Sequence, residues 1–383
     1  MDKPTVQDIF HRFYPAYLDQ YSPSPVQAKV AHNIMNCKTG AYGANVCVCE
    51  DCGFVQIHYN SCRNRCCPMC QAVPKEMWMD ARREDVLDAP YFHLVFTVPD
   101  ILNPVIYSNQ RLLYDALYHA ASSTISELTA DPKHLGAKVG YICILHTWGS
   151  EMNFHPHIHT ILLGGGLASN NQWKDNGENF FLPIRVISKM FRGKYLEELK
   201  RLWEEDKLVF HGTAEKFRNH YTFKELLDSC YGMDWIPHCK KTFNGAHTVM
   251  KYLGKYTHRI AVSNHRIVRM DDDTVTFLVK DYRNEGQWKE LTISGVEFVR
   301  RFLMHVPPRR FVRIRHYGLL CSRTKSQKLT LCRNLLGCKK YLSKLRDMEM
   351  PEILEHLYGI KVCVCKACGG HLGKPQMRMP LRC

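Results

Sequence analysis

The 383-residue sequence has few long apolar runs, and none that is typical of a membrane or secreted protein. No stretch approaches the roughly 20 apolar residues that span a bilayer. The polar N-terminus, Met1–Pro4, is followed by no apolar core of a signal peptide. We therefore expect a cytoplasmic protein that has no membrane partner.

Acidic residues are missing from a long C-terminal stretch. Arg300–Arg346 contains fourteen Lys or Arg and no Asp or Glu, and the whole chain has a net charge of +15. An excess of positive charge favours a polyanionic partner, most often nucleic acid. Phe311, Tyr317 and Tyr341 interleave with these basic residues. This pattern predicts a surface that follows a nucleic-acid backbone rather than a merely solvated face.

Cysteine, by contrast, is abundant, with eighteen residues. In a reducing compartment these are metal ligands or buried thiols more often than disulfides. Four of the cysteines form two closely spaced pairs, Cys49-x2-Cys52 and Cys67-x2-Cys70, which are separated by fourteen residues. Each Cys-x2-Cys pair forms a short turn that supplies two thiolates, and a structural zinc ion requires four ligands. We therefore predict one zinc site formed by these four cysteines.

The other cysteines leave alternatives open. Those near the two pairs form a second zinc site or are buried free thiols, and the candidate ligands are Cys37, Cys47, Cys62, Cys66 and His58. A further candidate site near the C-terminus has an incomplete spacing and consists of Cys363, Cys365 and Cys368 with His371 or Cys383. Arg63 and Arg65 lie inside the first cluster, which favours a DNA-contacting module over a purely architectural one.

Three histidines alternate in an apolar segment that we predict to be a β-strand. Alternate residues share one face of a strand, so His155, His157 and His159 point the same way while Ile158 faces the core. Three such histidines predict a metal site. His157 and His159 are the stronger candidates, and the third ligand is His155 or His146, which lies on the strand expected to pair with this one.

Two tyrosines stand four residues apart on a predicted helix, at about residues 246–259. Tyr252 and Tyr256 therefore share one helix face. They are either a packed aromatic stripe or a pair of nucleophiles. Lys255 and Arg259 make the helix cationic, and Gly254 between the tyrosines indicates the close approach of a partner. We favour nucleophiles that attack a phosphate activated by the metal.

Together these segments resemble the tyrosine transposases of rolling-circle bacterial insertion sequences, which belong to the HUH endonuclease superfamily. The resemblance covers most of residues 30–320. The motifs that carry it are Asn60–Gln71, Phe92–Pro99, His146–Gly149, His155–Thr160, Tyr252–Arg259 and Arg310–Gly318. Two positions depart from the pattern, because Cys66 and Asn45 stand where the family has histidine.

The resemblance implies a function and a role for each motif. His157 and His159 would hold a catalytic Mg²⁺ or Mn²⁺. Tyr252 and Tyr256 would form 5′-phosphotyrosine bonds while single-stranded or hairpin DNA ends are cut and rejoined at the bacterial nucleoid. The basic residues expected to contact DNA are Arg63, Arg65, Lys255, Arg259, Arg310, Arg313 and Arg315. The competing functions are a replication initiator or relaxase with the same chemistry and a non-catalytic zinc-containing regulator.

The expected fold is α+β. The resemblance implies an HUH nuclease core, with an antiparallel sheet of ferredoxin or RNA-recognition type flanked by helices, and with the histidine strand at its centre. We predict a zinc-binding module at 1–85 and a nuclease domain at 88–270, with a helical insertion at about 185–232. A basic region with a further cysteine cluster follows at 271–383.

Overall fold

The structure is a computed structural model that describes residues 3–176, 182–235, 237–243, 254, 261–281, 286–373 and 376–378. The strands are β1 (Ala44–Val48), β2 (Val55–Tyr59), β3 (Tyr91–Thr97), β4 (Lys138–Trp148), β5 (Phe154–Leu167), β6 (Trp173–Asp175), β7 (His238–Phe243), β8 (Ile267–Met270), β9 (Thr274–Asp281), β10 (Gln287–Ser294), β11 (Ile314–Gly318) and β12 (Gln376–Arg378).

The helices are α1 (Val6–Gln20), α2 (Pro25–Met35), α3 (Ala72–Arg83), α4 (Asn103–Ser108), α5 (Gln110–Ala130), α6 (Ile184–Glu204), α7 (His220–Gly232), α8 (Gly295–Met304), α9 (Lys325–Leu336) and α10 (Met350–Tyr358). The first two begin at capping boxes, Thr5 with Asp8 and Ser24 with Gln27, which satisfy their first backbone N–H groups. Within the described residues, no helix is long and apolar enough to cross a bilayer.

The largest sheet has the order β11-β4-β5-β3-β7, and β6 pairs with β5. All of its pairings are antiparallel. The predicted α+β class and the central position of the histidine strand β5 are therefore confirmed. Strand β11 belongs to this sheet although it follows residue 270, so the sheet extends beyond the predicted nuclease segment. The domain limits themselves stay a prediction.

The two faces of this sheet have different coverings. Ile158, Leu94 and Phe96 point into a large apolar core with α5, α6 and α7. The histidines point to the opposite face. There a smaller cluster around Ile144 and Ile161 includes residues from α3 and α9. Ile158 is fully buried, so it anchors the strand from the opposite face as predicted.

Strand β5 ends later than its glycines would suggest. Three consecutive glycines, Gly164-Gly165-Gly166, commonly weaken or end a strand, but β5 continues through them to Leu167. A Cβ at Gly165 would lie 2.4 Å from Trp173, and one at Gly166 would lie 2.4 Å from the Lys138 carbonyl oxygen. The glycines therefore allow neighbouring strands to approach closely, and they do not break the strand.

Two smaller sheets complete the fold. Strands β10-β9-β8 pack with α1, α2 and α8 around a second apolar core, which includes Cys37 and Cys67. Strands β12-β1-β2 join the two ends of the chain. Around this third sheet, the buried apolar cluster formed by the described residues consists of Cys47, Cys49, Cys365 and Leu372.

Part of the positive charge of the acid-free segment at 300–346 is paired with acids from outside the segment. Two of these acids follow α3: Lys325 lies 2.8 Å from Asp85, and Arg346 lies 2.6 Å from Glu84. Asp80 of the same helix accepts hydrogen bonds from the Tyr341 hydroxyl at 2.6 Å and from the Leu345 backbone N–H at 2.9 Å.

The aromatic residues of this segment are also used in packing. Phe311 is buried against Tyr114, with ring centroids 5.5 Å apart, and Tyr317 stacks on Tyr141 at 5.2 Å. The interleaved aromatic residues therefore do not support the predicted surface that follows a nucleic-acid backbone, because Phe311 and Tyr317 pack inside the protein. A linear sequence does not show that acids from a distant turn pair with cations of this segment.

Candidate metal and nuclease centre

Three buried histidines lie close together on the face of the main sheet that is opposite the large apolar core. His146 on β4 pairs directly with His157 on β5, so both side chains leave the same face. His159 follows two residues later on that face. The nitrogen atoms that these three side chains offer all lie within 4.8 Å of one another, and the Nε2 atoms of His157 and His159 are 3.0 Å apart.

This arrangement fits a divalent metal ion. Adjacent ligand atoms around a six-coordinate ion with bonds of roughly 2.1 Å lie roughly 3 Å apart, which is close to the Nε2–Nε2 distance. His157 Nδ1 lies 2.7 Å from the carbonyl oxygen of His155. Because this carbonyl can only accept, Nδ1 carries the proton and Nε2 keeps its lone pair for a cation.

A fourth histidine supports the group from β3. His93 is buried, and its Nε2 lies 2.9 Å from Nδ1 of His159. The contact holds the ring of His159, as hydrogen-bonded partners of metal-binding histidines do. The sequence did not indicate a role for His93. Its position beside His159 follows from the register of β3 against β5, in which Val95 pairs with His159 and His93 lies two residues away on the same face.

His155, the predicted alternative ligand, lies outside this group. Its Nδ1 is 3.2 Å from the Asp100 carboxylate, and about a third of its side chain is exposed (32%). His155 lies at the beginning of β5, where the pairing with β4 shifts register between His146 and Trp148. At this irregular pairing the ring of His155 contacts Asp100 and does not join the other histidines. His146 is therefore the third candidate ligand in place of His155.

The predicted nucleophiles Tyr252 and Tyr256 lie outside the described residues, as do Lys255 and Arg259. Gly254 between them is described, and it is helical and buried. A Cβ at Gly254 would lie 2.2 Å from Sδ of Met79. Met79 on α3 packs in the cluster that covers the histidine face, so the chain passes this face of the sheet at Gly254. The close neighbour at this glycine is α3 of the same chain, whereas we had expected a partner.

The cysteines form two groups of four, and neither is the predicted set. Cys67 and Cys70 lie with Cys37 and Cys62, and Cys49 and Cys52 lie with Cys365 and Cys368. The predicted single site of Cys49, Cys52, Cys67 and Cys70 is therefore corrected. Identical Cys-x2-Cys pairs can combine in several ways, and spacing does not select among them.

The first group, Cys37, Cys62, Cys67 and Cys70, connects α2 to the turn before α3. The Sγ atoms of Cys62 and Cys70 are 3.8 Å apart. Contacts with Cys62 and then Cys67 lower the pKa of Cys70, whereas contacts with Cys62 and then Cys70 raise the pKa of Cys67. The thiols therefore compete for one negative charge, and a cation would allow all of them to ionise.

Cys66, a predicted ligand of a second site, is not in either group. It is buried beside its neighbour Cys67 but belongs to the apolar core, and burial raises the pKa of its thiol. Consecutive residues in this turn point in different directions, so only one of the two sulfur atoms reaches the group.

Comparisons with known proteins bear on these groups. The family model described as "Putative transposase" matches residues 140–328, which include the three clustered histidines, and the one described as "Transposase zinc-binding domain" matches residues 9–98. The chain is 40% identical to "Putative transposase y4qJ" of Sinorhizobium fredii (strain NBRC 101917 / NGR234), over 95% of this chain and 93% of that protein. The chain belongs to this transposase family.

A second relative of this transposase has a more specific name. The "Transposase for insertion sequence element IS801" of Pseudomonas savastanoi pv. phaseolicola is 30% identical over 79% of this chain and 72% of that protein. The insertion-sequence transposase family predicted from the motifs is thus confirmed, together with its N-terminal zinc-binding domain.

Solved structures of the conjugative relaxase TrwC in complex with oriT DNA are also similar to the transposase. The copper-bound structure is 12% identical, with a TM-score of 0.25, and covers 44% of this chain and 71% of that one. A metal-bound structure is 12% identical, with a TM-score of 0.26, and covers 67% of this chain and 99% of that one.

The predicted DNA-contacting arginines of the transposase have different surroundings. Arg63 and Arg310 are exposed. Arg65 donates hydrogen bonds to the carbonyl oxygens of Phe311 at 2.5 Å and Pro308 at 3.3 Å. Arg65 therefore ties the cysteine module to the loop before β11.

Arg313 and Arg315 are less exposed. Arg313 is half-buried near Cys66. Arg315 pairs with Asp115 and lies 4.0 Å from the centre of the Tyr118 ring. Of the predicted contacts that the structure describes, Arg63, Arg65 and Arg310 are exposed, and Arg65 is already hydrogen-bonded to backbone carbonyl oxygens.

Proposed function

We propose that this transposase nicks and rejoins single-stranded DNA at the ends of an insertion element through a 5′-phosphotyrosine intermediate. His146, His157 and His159 would hold a divalent metal ion in this reaction. The convergence of these three buried imidazoles on one face of a transposase sheet is the observation that carries the proposal. When bound, the ion supplies Lewis-acid activation of the scissile phosphate.

The chain's own residues would divide the remaining work. His157 is fixed by its hydrogen bond to the His155 carbonyl and His159 by His93, so both Nε2 atoms are positioned in advance. A tyrosine oxygen would attack phosphorus, and the bond to the 3′ oxygen would break. The phenol proton is released, and the leaving 3′ oxygen takes up a proton.

Two tyrosines suit an exchange of strands. One of Tyr252 and Tyr256 would keep the 5′ end of the cleaved donor strand while the other opens the next strand. The phosphotyrosine bond conserves the energy of the broken phosphodiester, so that rejoining needs no ATP. Gly254, buried against Met79 on the histidine face, supports a position of this segment near the imidazoles.

The donor set bears on the choice of metal. Three imidazoles suit transition metals better than Mg²⁺, which prefers oxygen ligands and keeps several waters. We therefore propose that Mn²⁺ supports cleavage at lower concentrations than Mg²⁺. Since the substrate is DNA, we place the activity at the bacterial nucleoid, with Arg63 and Arg310 in contact with the strand backbone.

The test is formation of a covalent adduct. Labelled single-stranded oligonucleotides spanning both ends of the element that carries the gene are incubated with the protein and Mn²⁺, and adducts are resolved under denaturing conditions. We expect an adduct that chelation prevents and that disappears in the double variant Tyr252→Phe/Tyr256→Phe. Tyr221→Phe is the matched control, because Tyr221 is highly exposed (77%) and distant in sequence.

Two results would contradict the proposal. An adduct that persists in the double variant would exclude these tyrosines as the nucleophiles. Tight binding without an adduct on any strand would favour a non-catalytic DNA-binding regulator.

A further inference from the structure

The second group of cysteines joins the two ends of the chain. Cys49 and Cys52 lie in the turn between β1 and β2, and Cys365 and Cys368 lie in a turn after α10. Their sulfur atoms all lie within 4.8 Å of one another, with 3.5 Å between Cys49 and Cys368 and 3.8 Å between Cys52 and Cys365. Residues more than 300 positions apart thus present four thiols to one point.

The two turns have the same local structure. Each has the sequence Cys-x2-Cys-Gly, and the glycine after the second cysteine has a positive φ, 71° at Gly53 and 77° at Gly369. In each turn this glycine donates a backbone hydrogen bond of 3.0 Å to the carbonyl oxygen of the first cysteine. A residue with a Cβ is strained at such a φ, so both turns require glycine there.

The backbone of the C-terminal turn also points N–H groups at sulfur. Ala367 N–H approaches Sγ of Cys365 at 3.4 Å, and Gly370 N–H approaches Sγ of Cys368 at 3.4 Å. Such donors stabilise sulfur in its thiolate form, which is the form that binds metal.

Neither disulfides nor apolar packing accounts for this junction. A disulfide requires about 2.05 Å between sulfur atoms, well below the distances here. Among the residues whose burial the structure describes, the apolar cluster at the junction consists of Cys47, Cys49, Cys365 and Leu372, and the sulfur of two of them belongs to the group itself. Such a small described cluster contributes little burial, and small segments of this kind are commonly stabilised by a structural metal.

Backbone pairing shows that the tail returns to the cysteine module in a defined register. Cys49 forms a bridge with Leu372, and Gly373 N–H donates to the Val48 carbonyl oxygen at 2.9 Å. Strand β12 then pairs with β1, with Ala44 opposite Arg378. The sulfur group therefore lies at the start of this β-sheet junction.

We propose that Cys49, Cys52, Cys365 and Cys368 bind a zinc ion that fastens the C-terminal tail to the N-terminal module. Four thiolates at tetrahedral spacing from two short turns are typical of a closed structural zinc site. The matched zinc-binding domain ends at residue 98, so two ligands of this site come from outside it.

The first test measures zinc in the full-length protein. We expect the double variant Cys365→Ser/Cys368→Ser to contain one zinc ion per chain fewer than the wild type. Cys321→Ser/Cys363→Ser is the matched control, because both of these cysteines are exposed and outside the group. Equal zinc contents in the two double variants, or iron in place of zinc at this site, would overturn the proposal.

A second test uses the wild-type protein and does not depend on whether a variant folds. Cys52 and Cys368 are as exposed as Cys321 and Cys363 in burial class, but zinc should protect only the first pair from alkylation. We expect mass spectrometry to show at least about tenfold slower alkylation of Cys52 and Cys368, since only free thiolate reacts. The protection should vanish after chelation. Equal rates before chelation would refute the site.

Discussion

The histidine group and the two cysteine groups differ in the elements that carry their donors. The three histidines project from adjacent strands at the centre of the main sheet, and Ile158 anchors β5 from the opposite face. The cysteines lie mainly in turns, and at the chain-end junction they form much of the small core themselves. We therefore expect the strands to stay in place without an ion, because they belong to a large core, and the short cysteine turns to depend on one.

This difference separates two uses of metal. Three imidazoles are typical of catalytic sites that leave a position for water or substrate, and four thiolates are typical of structural sites. We therefore expect loss of metal to abolish chemistry at the histidines with the fold intact, and to loosen the fold at the cysteines. The following predictions test this contrast.

Cys67→Ser should have the largest effect on folding. Structural zinc in small modules contributes about 10–16 kcal/mol of apparent binding free energy, and one lost thiolate removes much of it. We expect the variant to bind one zinc ion fewer per chain than the wild type and to be cleaved faster by proteases within the segment that precedes α3. Cys66→Ser is the matched control, because Cys66 is buried beside Cys67 but outside the group. Equal zinc loss in both variants would contradict the assignment of ligands.

His157→Ala should act on catalysis and leave the cysteine sites unchanged. Removal of a metal ligand costs several kcal/mol of transition-state stabilisation, so we expect nicking of single-stranded DNA to fall by about 10³-fold or more. The thiolate sites should keep their zinc, which protection of the thiols from alkylation would show. Thermal unfolding should stay cooperative. A decrease of less than about tenfold would show that the histidine group is not the catalytic centre.

His93→Gln should have an intermediate effect. Because His93 holds the ring of His159 through its Nδ1, we expect Mn²⁺ affinity, measured by calorimetry, to fall by about 10–100-fold. His305→Gln is the control: His305 is also buried, it contacts the Met152 carbonyl oxygen at 3.0 Å, and burial lowers its pKa to about 4. If both variants weaken Mn²⁺ binding equally, His93 has no specific positioning role.

His155→Ala should have the smallest effect. Its partly exposed contact with Asp100 resembles surface ion pairs, which contribute at most about 1 kcal/mol. We expect Mn²⁺ affinity and the nicking rate to change by less than about fivefold, the factor that corresponds to about 1 kcal/mol. A loss as large as that of His157→Ala would restore His155 as a ligand in place of His146.

The sequence by itself determined the local features. The alternation of His155, His157 and His159 around Ile158 predicted both the strand and its metal-facing side, because the faces of a strand alternate residue by residue. The Cys-x2-Cys spacing of Cys49 with Cys52 and of Cys67 with Cys70 similarly predicted turns that each present two thiols to a metal ion. The motifs in their order identified the transposase family, and the α+β class followed from them.

Only the tertiary structure decided which local units combine. Strand register placed His146 beside His157, and a register shift left His155 with Asp100. Chain topology paired Cys49 and Cys52 with Cys365 and Cys368 rather than with the nearer Cys-x2-Cys pair. Glu84 and Asp85, in the turn after α3, pair with cations of a segment that has no acids of its own. In each case the partner is distant in the chain. A local sequence pattern indicates what kind of partner a side chain needs, but it does not indicate which distant residue is that partner.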